Sequence, residues 1–538
     1  MGLNPKLITP FLKTCLCAMS KPVIALGLAT ALTTGVASAQ SVNLKSNDGT
    51  VDVVGELLSF DGENYVIESI IGEITLSSRQ VQCVGDGCPA IGSANAEYTI
   101  AGSKELVAGL MPDLIRNYAS GINATTDESI SGTIQTLSVS DADSALIAEV
   151  SLDASDSEAG LRSALDGTAL LAVTDRSAFP DEINSFAGAG LGNLNAQDQE
   201  TLLALDGLVV VTAPGNPVDS ISLGQIADIF AGRIVNWSQL GGGDAPLTAY
   251  GREVLSGTGT LLDQKVLRPN GVRQDASIKV MESDQAVSKM VQSDTNGIGI
   301  TSYSARGTAK IMDVRGVCGI RTAANPFTIK TEEYPLSKRL LMYKPKKDVH
   351  AQVDNFIEYL GSEDAQEIIS AKGYIDQAVS TVDSKDQGIR YANAMWPTDA
   401  ETNLRVLGEM VQELLPAERV SLTYRFALGS AQLDARSAQD IERLADLIAD
   451  GQTFANKELL LVGFTDSIGG SQNNRSLSIG RADVVRRAIE AAAIPGSLDT
   501  TPIKVLGYGE ASPLSCNETE NGRQINRRVE VWVREIVR

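Results

Sequence analysis

The segment Pro246-Leu-Thr-Ala-Tyr-Gly-Arg-Glu-Val-Leu-Ser-Gly-Thr258 joins an apolar stretch to a turn of hydroxyl and glycine residues. The first five residues have the composition of a buried strand, and the Ser-Gly-Thr turn is typical of a helix start. Arg252 lies between them. A guanidinium donates two parallel hydrogen bonds, and the hydroxyls and amides of a helix start donate more, so the segment predicts an oxyanion site. An ordinary helix cap beside a surface arginine is the alternative.

The residues around this segment alternate between strand-like and helix-like patterns from Tyr98 to Asp376. Buried-type strands are expected at Ala169–Thr174 and Gly207–Thr212, and helices at Glu105–Ser120 and Ser283–Val291. Such alternation predicts an α/β domain whose sheets are covered by helices, and the region is long enough for two lobes with a cleft between them.

Further motifs accompany the segment in a fixed order. They are Leu205-Asp-Gly-Leu-Val-Val-Val211, Asn216-Pro217, Ile229-Phe-Ala-Gly-Arg-Ile-Val-Asn-Trp-Ser238, Gly241-Gly242, Gly297-Ile-Gly-Ile-Thr-Ser302, Thr331-Glu-Glu-Tyr-Pro-Leu336 and Gly373-Tyr-Ile-Asp376. Together they resemble the phosphate-type (PstS-like) substrate-binding proteins of ABC transporters. The resemblance implies a two-lobed clamshell that closes on phosphate or a similar small oxyanion and serves an ABC permease. Under it, the oxyanion contacts fall on Ser103, Ser157, Thr174, Arg252, Ser256, Gly257 and Thr258.

Several acidic residues depart from the pattern of that family. Asp156 and Glu158 stand in place of a glycine-rich loop, Asp175 follows Thr174, and Glu105 replaces a small hydroxyl residue. One carboxylate in the pocket can accept a hydrogen bond from a protonated phosphate oxygen, but several would repel a dianion. Either these acids face solvent or the ligand is not phosphate. A clamshell that no longer binds ligand and serves protein interaction is the alternative function.

The C-terminal region has helical spacing at Ile441–Ile448 and Ala482–Ile489 and strand patterns at Leu459–Val462 and Arg528–Val533, which predict an α+β domain. Its motifs are Gly463-Phe-Thr-Asp-Ser-Ile-Gly469, Asn474-Arg-Ser-Leu-Ser478, Arg481-Ala482, Gly507-Tyr-Gly-Glu510 and Asn526-Arg-Arg-Val-Glu530. They resemble the OmpA C-terminal-like peptidoglycan-binding family. The resemblance implies that Asp466 and Arg481 bind diaminopimelate of the stem peptide, with Asn474 and Arg527 assisting. A carboxylate beside a guanidinium suits the ammonium and carboxylate of that ligand.

The N-terminus has the features of a secretory signal peptide, with lysines before the apolar run Val23–Leu32 and a cleavage site at Ala37-Ser-Ala39. Export to an oxidising compartment favours disulfides. Cys83 and Cys88 flank a turn-rich spacer and are expected to pair, whereas Cys318 and Cys516 are expected either to pair across domains or to remain free.

Composition excludes several functions. The formal net charge of −22 and pI near 4.6 argue against nucleic-acid binding. The single histidine, His350, stands in a charged stretch without triad partners or metal-ligand spacing, so neither an enzyme nor a metal or cofactor site is expected.

The sequence therefore predicts a multidomain fold: a signal peptide (1–39), a small β domain (40–95), a two-lobed α/β periplasmic-binding-protein clamshell (96–378), a linker (379–415) and an α+β OmpA-like domain (416–538). The expected protein is a periplasmic binding protein for a small oxyanion. It is tethered to peptidoglycan, at the inner face of the outer membrane.

Overall fold

The computed structural model describes residues 41–46, 52–60, 64–70, 72–77, 81–84, 88, 95–394, 404–426, 433 and 435–536. The chain divides into two compact units, Met1–Ser93 and Ala94–Arg538. The predicted signal peptide and the Trp396-Pro397 pair of the predicted linker lie outside the described residues. In the part that is described, no helix is both long and apolar enough to span a bilayer.

The first unit is an antiparallel sheet of five strands in the order β4-β3-β2-β1-β5. The strands are β1 (Ser41–Ser46), β2 (Asp52–Phe60), β3 (Asn64–Ser69), β4 (Gly72–Ser77) and β5 (Val81–Val84). Alternate residues such as Leu44, Tyr65 and Ile67 are buried on one face, as expected for strands with one solvated side. A disulfide joins Cys83 to Cys88, the pairing that the sequence predicts.

The second unit begins with the two-lobed α/β region. Its strands are β6 (Ala96–Ser103), β7 (Thr125–Ser131), β8 (Ile134–Ser140), β9 (Leu146–Ser155), β10 (Leu171–Thr174), β11 (Glu200–Thr212), β12 (Ser220–Ser222), β13 (Thr248–Gly251), β14 (Lys279–Val280), β15 (Gly297–Ser302), β16 (Lys310–Ile311), β17 (Asp313–Arg315), β18 (Arg321–Thr322) and β19 (Ser337–Tyr343). Its helices are α1 (Lys104–Val107), α2 (Met111–Gly121), α3 (Ser157–Asp166), α4 (Pro180–Gly188), α5 (Leu223–Phe230), α6 (Gly257–Leu262), α7 (Asp284–Ser293), α8 (Pro326–Lys330), α9 (Ala351–Tyr359) and α10 (Glu363–Ala371).

Strands β11 and β19 connect the lobes. The main sheet runs β14-β13-β15-β11-β19-β10-β6-β9-β8-β7, so β11 and β19 lie between the first-lobe strands β6–β10 and the second-lobe strands β13–β15. The first part of β11 pairs with β19, and its last residues, Leu208–Thr212, pair with β15. The alternation of strands and helices thus produces the predicted clamshell, and residues before and after β11 face each other across a cleft.

The predicted helix Glu105–Ser120 is instead two helices, α1 and α2. Pro112 is the reason, because proline lacks an amide hydrogen and its ring clashes with the carbonyl four residues earlier in a continuous helix. The chain restarts at Met111 with Pro112 in the first turn, where proline is tolerated.

The C-terminal part of this unit is an α+β domain, as predicted. Its strands are β20 (Thr381–Asp383), β21 (Glu418–Arg425), β22 (Lys457–Gly463), β23 (Ile503–Gly507) and β24 (Arg528–Glu535), in the order β20-β21-β24-β22-β23. Its helices are α11 (Gly388–Ala394), α12 (Leu404–Leu414), α13 (Ala435–Ala449), α14 (Ser471–Ala492) and α15 (Glu520–Asn526). The described residues of the expected linker 379–415 differ from a linker, since β20 joins this sheet and Met410 and Leu414 pack with Trp532.

The C-terminal domain is joined to the clamshell by a disulfide and by buried ion pairs. Cys318 of the second lobe is bonded to Cys516, so the two cysteines that the sequence left undecided pair across the domains. Glu333 forms an ion pair with Arg419, which is 1% exposed. The carboxylate of Glu332 accepts hydrogen bonds from Arg339 at 2.6 and 3.1 Å and forms a 2.9 Å ion pair with Arg436 of α13. Part of this interface therefore consists of charged groups that are largely removed from water.

Candidate functional site

The interlobe cleft brings together most of the predicted oxyanion residues, although they are distant in sequence. Its interior is lined by Ser103 at the end of β6, Arg252 after β13, and Ser256, Gly257 and Thr258 at the start of α6. Ser157, at the start of α3, lines the mouth of the cleft. Thr174 is fully buried and donates to the carbonyl of Arg176 at 2.7 Å, so it shapes the turn after β10 and does not line the cleft.

Asp175 spans the gap between the lobes. Ser157 Oγ donates to its carboxylate at 2.6 Å, and the Asp175 amide donates back to Ser157 Oγ at 3.1 Å. Its other oxygen lies against Gly257 of the opposite lobe, where an added Cβ would be 1.5 Å from that oxygen. Any side chain at Gly257 would therefore displace the Asp175 carboxylate from its present position.

Arg252 is held by three groups of the cleft wall and is one tenth exposed. Its Nη1 donates to the carbonyl of Met281 at 2.6 Å, its Nε lies 3.2 Å from Asp284 Oδ1, and its Nη2 lies 3.8 Å from Glu105 Oε1. Thr258 Oγ1 donates to the second oxygen of Asp284 at 2.8 Å. Ser256 caps α6 by accepting from the amide of Gly259 at 3.0 Å. The guanidinium is thus fixed in orientation at the base of the cleft.

The sequence prediction missed three charged residues of the cleft: Lys338, Asp206 and Asp284. Lys338 Nζ donates to Ser302 Oγ at 3.1 Å and lies 3.9 Å from Asp206 and 4.0 Å from Asp175. Burial lowers the pKa of Lys338, but the surrounding carboxylates, first Asp206 and then Asp175, outweigh it and raise that pKa above its usual value. Lys338 is therefore a permanent cation at neutral pH.

The cleft carries more negative than positive charge. Glu105, Asp175, Asp206 and Asp284 line its interior against two cations, Arg252 and Lys338. Burial raises the pKa of Asp206, although Lys338 and hydrogen bonds from Ser304 and Gly207 act in the opposite direction. A ligand with its own proton to donate suits such a surface better than a fully ionised anion.

Asp156 and Glu158, two of the acidic residues that depart from the family pattern, face solvent. Asp156 is exposed and accepts from the amide of Ala159 as the cap of α3. Glu158 is exposed and pairs with Arg162 at 2.6 Å. Of the four acids, only Glu105 and Asp175 line the interior of the cleft.

The predicted peptidoglycan residues converge in the C-terminal domain. Asp466 follows β22, and its carboxylate accepts from Arg527 at 2.9 Å and from the amide of Ile468 at 3.1 Å. Asn474 of α14 donates to the Asp466 carbonyl at 3.4 Å. Strand β22 and helices α14 and α15 thus bring these side chains to one place.

Arg481 of α14 is the buried cation of this cluster with unsatisfied donors. It is 2% exposed, its guanidinium lies 5.4 Å from the ring centre of Phe426, and its Nε and Nη1 have no hydrogen-bond partner among the described residues. Burial and the neighbouring Arg527 lower the pKa of Arg481, while Asp466 opposes them. An unsatisfied buried guanidinium is costly, and a carboxylate from outside would satisfy it.

The comparisons with known proteins assign a family to each of the two regions that contain these residues. A family model described as a PBP superfamily domain matches residues 95–364, and the OmpA family model matches residues 425–527. The phosphate-binding protein PstS of Borreliella burgdorferi is 25% identical over 236 residues, covering 42% of this chain and 79% of that protein. Outer membrane porin F of Pseudomonas fluorescens is 35% identical over 115 residues, covering 21% of this chain and 33% of the porin.

Among solved structures, an ABC-type phosphate transport receptor from Vibrio cholerae is 23% identical with a TM-score of 0.40, and the match covers 52% of this chain and 99% of that one. The chain spans about a third of the length of porin F, so that likeness concerns the C-terminal domain alone. Because the PBP superfamily model covers half of the sequence, the chain belongs to the PBP superfamily, and it carries a C-terminal domain of the OmpA family.

Proposed function

We propose that this protein is a periplasmic binding protein for phosphate or a similar protonated oxyanion and that its C-terminal domain holds it on peptidoglycan. The observation that carries the proposal is the meeting of Ser103, Arg252 and the Ser256–Thr258 turn in one cleft between two lobes. Fixed donors from both lobes allow closure around a small anion, and closure excludes water. The relatives that bind phosphate support this assignment.

The carboxylates of the cleft set the form of the ligand. Asp175 accepts a hydrogen bond, so it suits an anion that still carries a proton, such as hydrogen phosphate. Sulfate at neutral pH has no proton, so the Asp175 carboxylate would repel it. Phosphate is therefore expected to bind and sulfate to be rejected.

Calorimetry on the mature protein, unfolded and refolded to remove bound ligand, tests this assignment. Arg252→Ala is expected to lose about 2–5 kcal/mol of phosphate affinity, because it removes a buried charged donor. Arg233→Ala is the matched control, since Arg233 is 62% exposed in the same lobe and pairs with Asp228. Equal affinity in the wild type and in Arg252→Ala would contradict the cleft assignment.

The residues that converge in the C-terminal domain support the proposed contact with peptidoglycan. Diaminopimelate carries an ammonium and a carboxylate on one carbon, which suit Asp466 and Arg481, with Asn474 and Arg527 orienting the pair. The unsatisfied donors of Arg481 support a carboxylate ligand. A location in the periplasm at the inner face of the outer membrane agrees with the porin relatives, and an ABC permease is the expected partner of the clamshell.

Sedimentation with purified peptidoglycan tests the wall contact. Asp466→Ala and Arg481→Ala are each expected to abolish binding while the far-UV circular dichroism stays unchanged. Arg487→Ala is the control on the same helix, because Arg487 is 63% exposed. Retained binding by both of the first two variants would refute the assignment of these residues.

A second candidate is a structural envelope protein whose clamshell binds no ligand. It is favoured by the hydrogen bond from Arg252 to the Met281 carbonyl and by the carboxylates of Asp284 and Glu105, which lie 3.2 and 3.8 Å from its guanidinium within the cleft. Normal peptidoglycan binding combined with no heat from phosphate would select this function.

A further inference from the structure

A second cavity, distinct from the cleft interior, lies where the two lobes meet the C-terminal domain. It has a volume of about 290 Å³, and Lys338 is the one residue that lines both it and the cleft interior. The first lobe contributes Arg176, the second lobe Lys265 and the C-terminal domain Gln524 of α15. This interdomain cavity therefore has walls from all three parts of the unit.

The charge of the interdomain cavity is opposite to that of the cleft. Its charged lining residues are five cations and a single carboxylate, that of Glu332. The cations are Arg176, Lys265, Lys338, Arg339 and Arg425. The cleft interior, by contrast, holds four carboxylates and two cations. An anion that enters the space between the domains thus meets the more favourable charge in this cavity.

Two of these cations are neutralised by neighbouring carboxylates. Arg176 pairs with Glu182 through two hydrogen bonds of 2.7 and 2.8 Å. Lys338 is balanced by Asp206 and Asp175. These two cations therefore contribute little uncompensated charge.

The remaining cations differ in their carboxylate partners. Glu332 faces Arg339, Arg436 and, at 3.6 Å, Arg425, and Arg436 also pairs with Asp440 at 3.4 Å. Lys265 donates to the carbonyls of Ser337 at 2.7 Å and Pro335 at 3.5 Å, and it has no carboxylate within 4 Å among the residues that the structure describes. Lys265 therefore has no carboxylate counter-ion in the described part of the chain, and its amine bonds to carbonyls instead.

The pKa of Lys265 agrees with this geometry. Burial is the main cause that lowers that pKa to about 8; Glu332 opposes it and Arg339 adds to it. A bound anion beside the amine would favour its charged form. Gln524 and Asn521 of α15 are exposed and place amide groups at the rim, where they can bond to further oxygens of a ligand.

We propose that the interdomain cavity binds a small multivalent anion, a ligand with two or more carboxylate or phosphate groups. This site is a separate cavity from the oxyanion cleft, and Lys338 lies in the wall between them. Because its walls come from both lobes and from the C-terminal domain, the ligand stabilises the docked arrangement of all three by binding it in preference to any separated one.

Calorimetry with citrate and with pyrophosphate on the full mature protein tests the proposal, and the two probes distinguish carboxylate from phosphate ligands. Binding of at least one probe is expected in the wild type. Lys265→Met removes the unpaired cation, and Gln524→Glu adds a carboxylate at the exposed rim without disturbing a buried contact. Each is expected to weaken binding about tenfold or more. Lys289→Met, which changes an exposed lysine of α7, is the matched control and should leave affinity unchanged.

Arg252→Ala separates this site from the cleft. The proposal requires that citrate or pyrophosphate bind Arg252→Ala as tightly as the wild type, whatever phosphate does in that variant. The proposal is overturned if neither probe binds the wild type, if Lys265→Met and Gln524→Glu bind with unchanged affinity, or if only Arg252→Ala loses binding.

Discussion

Replacing Glu332 by glutamine tests how the C-terminal domain is held on the clamshell. The carboxylate of Glu332 accepts from Arg339 and pairs with Arg436 across the interface, with its side chain 18% exposed. Glutamine keeps the size of the side chain but removes the negative charge that Arg339 and Arg436 both face. Breaking a buried ion pair from one side destabilises by about 3–5 kcal/mol. At roughly 2 °C for each kcal/mol in a unit of this size, the melting temperature should fall by about 6–10 °C.

Differential scanning calorimetry measures this change, and Glu158→Gln is the matched control. Glu158 pairs with Arg162 in full solvent, with its side chain 66% exposed, and such surface pairs contribute at most about 1 kcal/mol. We expect the melting profile of Glu332→Gln to separate towards two transitions because the domains lose a shared contact. A melting temperature within 2 °C of the control value would refute the reasoning about the buried interface.

The pH dependence of stability, measured for the wild type and for Glu332→Gln, provides a second readout. Burial alone would raise the pKa of Glu332, but Arg339 and Arg436 hold that pKa well below its usual value. A depressed carboxyl pKa stabilises the folded state above the unfolded pKa, near 4.5, and this contribution is lost as the pH falls through the folded pKa. The difference in stability between the wild type and Glu332→Gln should therefore be constant above about pH 5 and shrink in acid.

Two further experiments test the cleft and the disulfide between the domains. Gly257→Ala should weaken phosphate binding about tenfold or more by calorimetry, because its Cβ would displace the Asp175 carboxylate, whereas Gly121→Ala, with nothing within 4 Å, should have no effect. The double variant Cys318→Ser with Cys516→Ser opens a loop with a sequence separation of 198, and it should lose about 5 kcal/mol of unfolding free energy in denaturant titration. The double variant Cys83→Ser with Cys88→Ser opens a loop with a separation of only 5 and should lose about 2 kcal/mol. Equal losses for the two pairs would contradict the loop-entropy argument.

The sequence predicted those parts of the site that lie in contiguous motifs. Arg252 and the Ser256–Thr258 turn are close in the chain, so the strand-turn-helix pattern indicated their grouping, and the family resemblance favoured an oxyanion site over an ordinary helix cap. Asp466 and Arg481 came instead from the resemblance to the OmpA C-terminal-like family, whose motifs flank one strand and one helix. Local patterns of this kind persist in the fold because their geometry is set by neighbours in sequence.

Lys338 and Asp206 could not be paired from the sequence. They lie opposite each other where β11 and β19 run antiparallel, and this register depends on contacts between segments far apart in the chain. A lysine in the strand Ser337–Tyr343 was the one available signal, because a charged residue in a buried strand requires a partner. The pairing of Cys318 with Cys516 was open for the same reason.

The disulfide between Cys318 and Cys516 has a mechanical consequence. Without it, any pull on the C-terminal domain would reach the clamshell through the backbone after Asp376 and the non-covalent interface. With it, the force has a second covalent route that enters the second lobe at Cys318, between β17 and β18. The load is then divided between two bonded paths, and the ion pairs of the interface do not have to bear it. A protein held on a stressed surface can in this way keep its two domains in register while it is stretched.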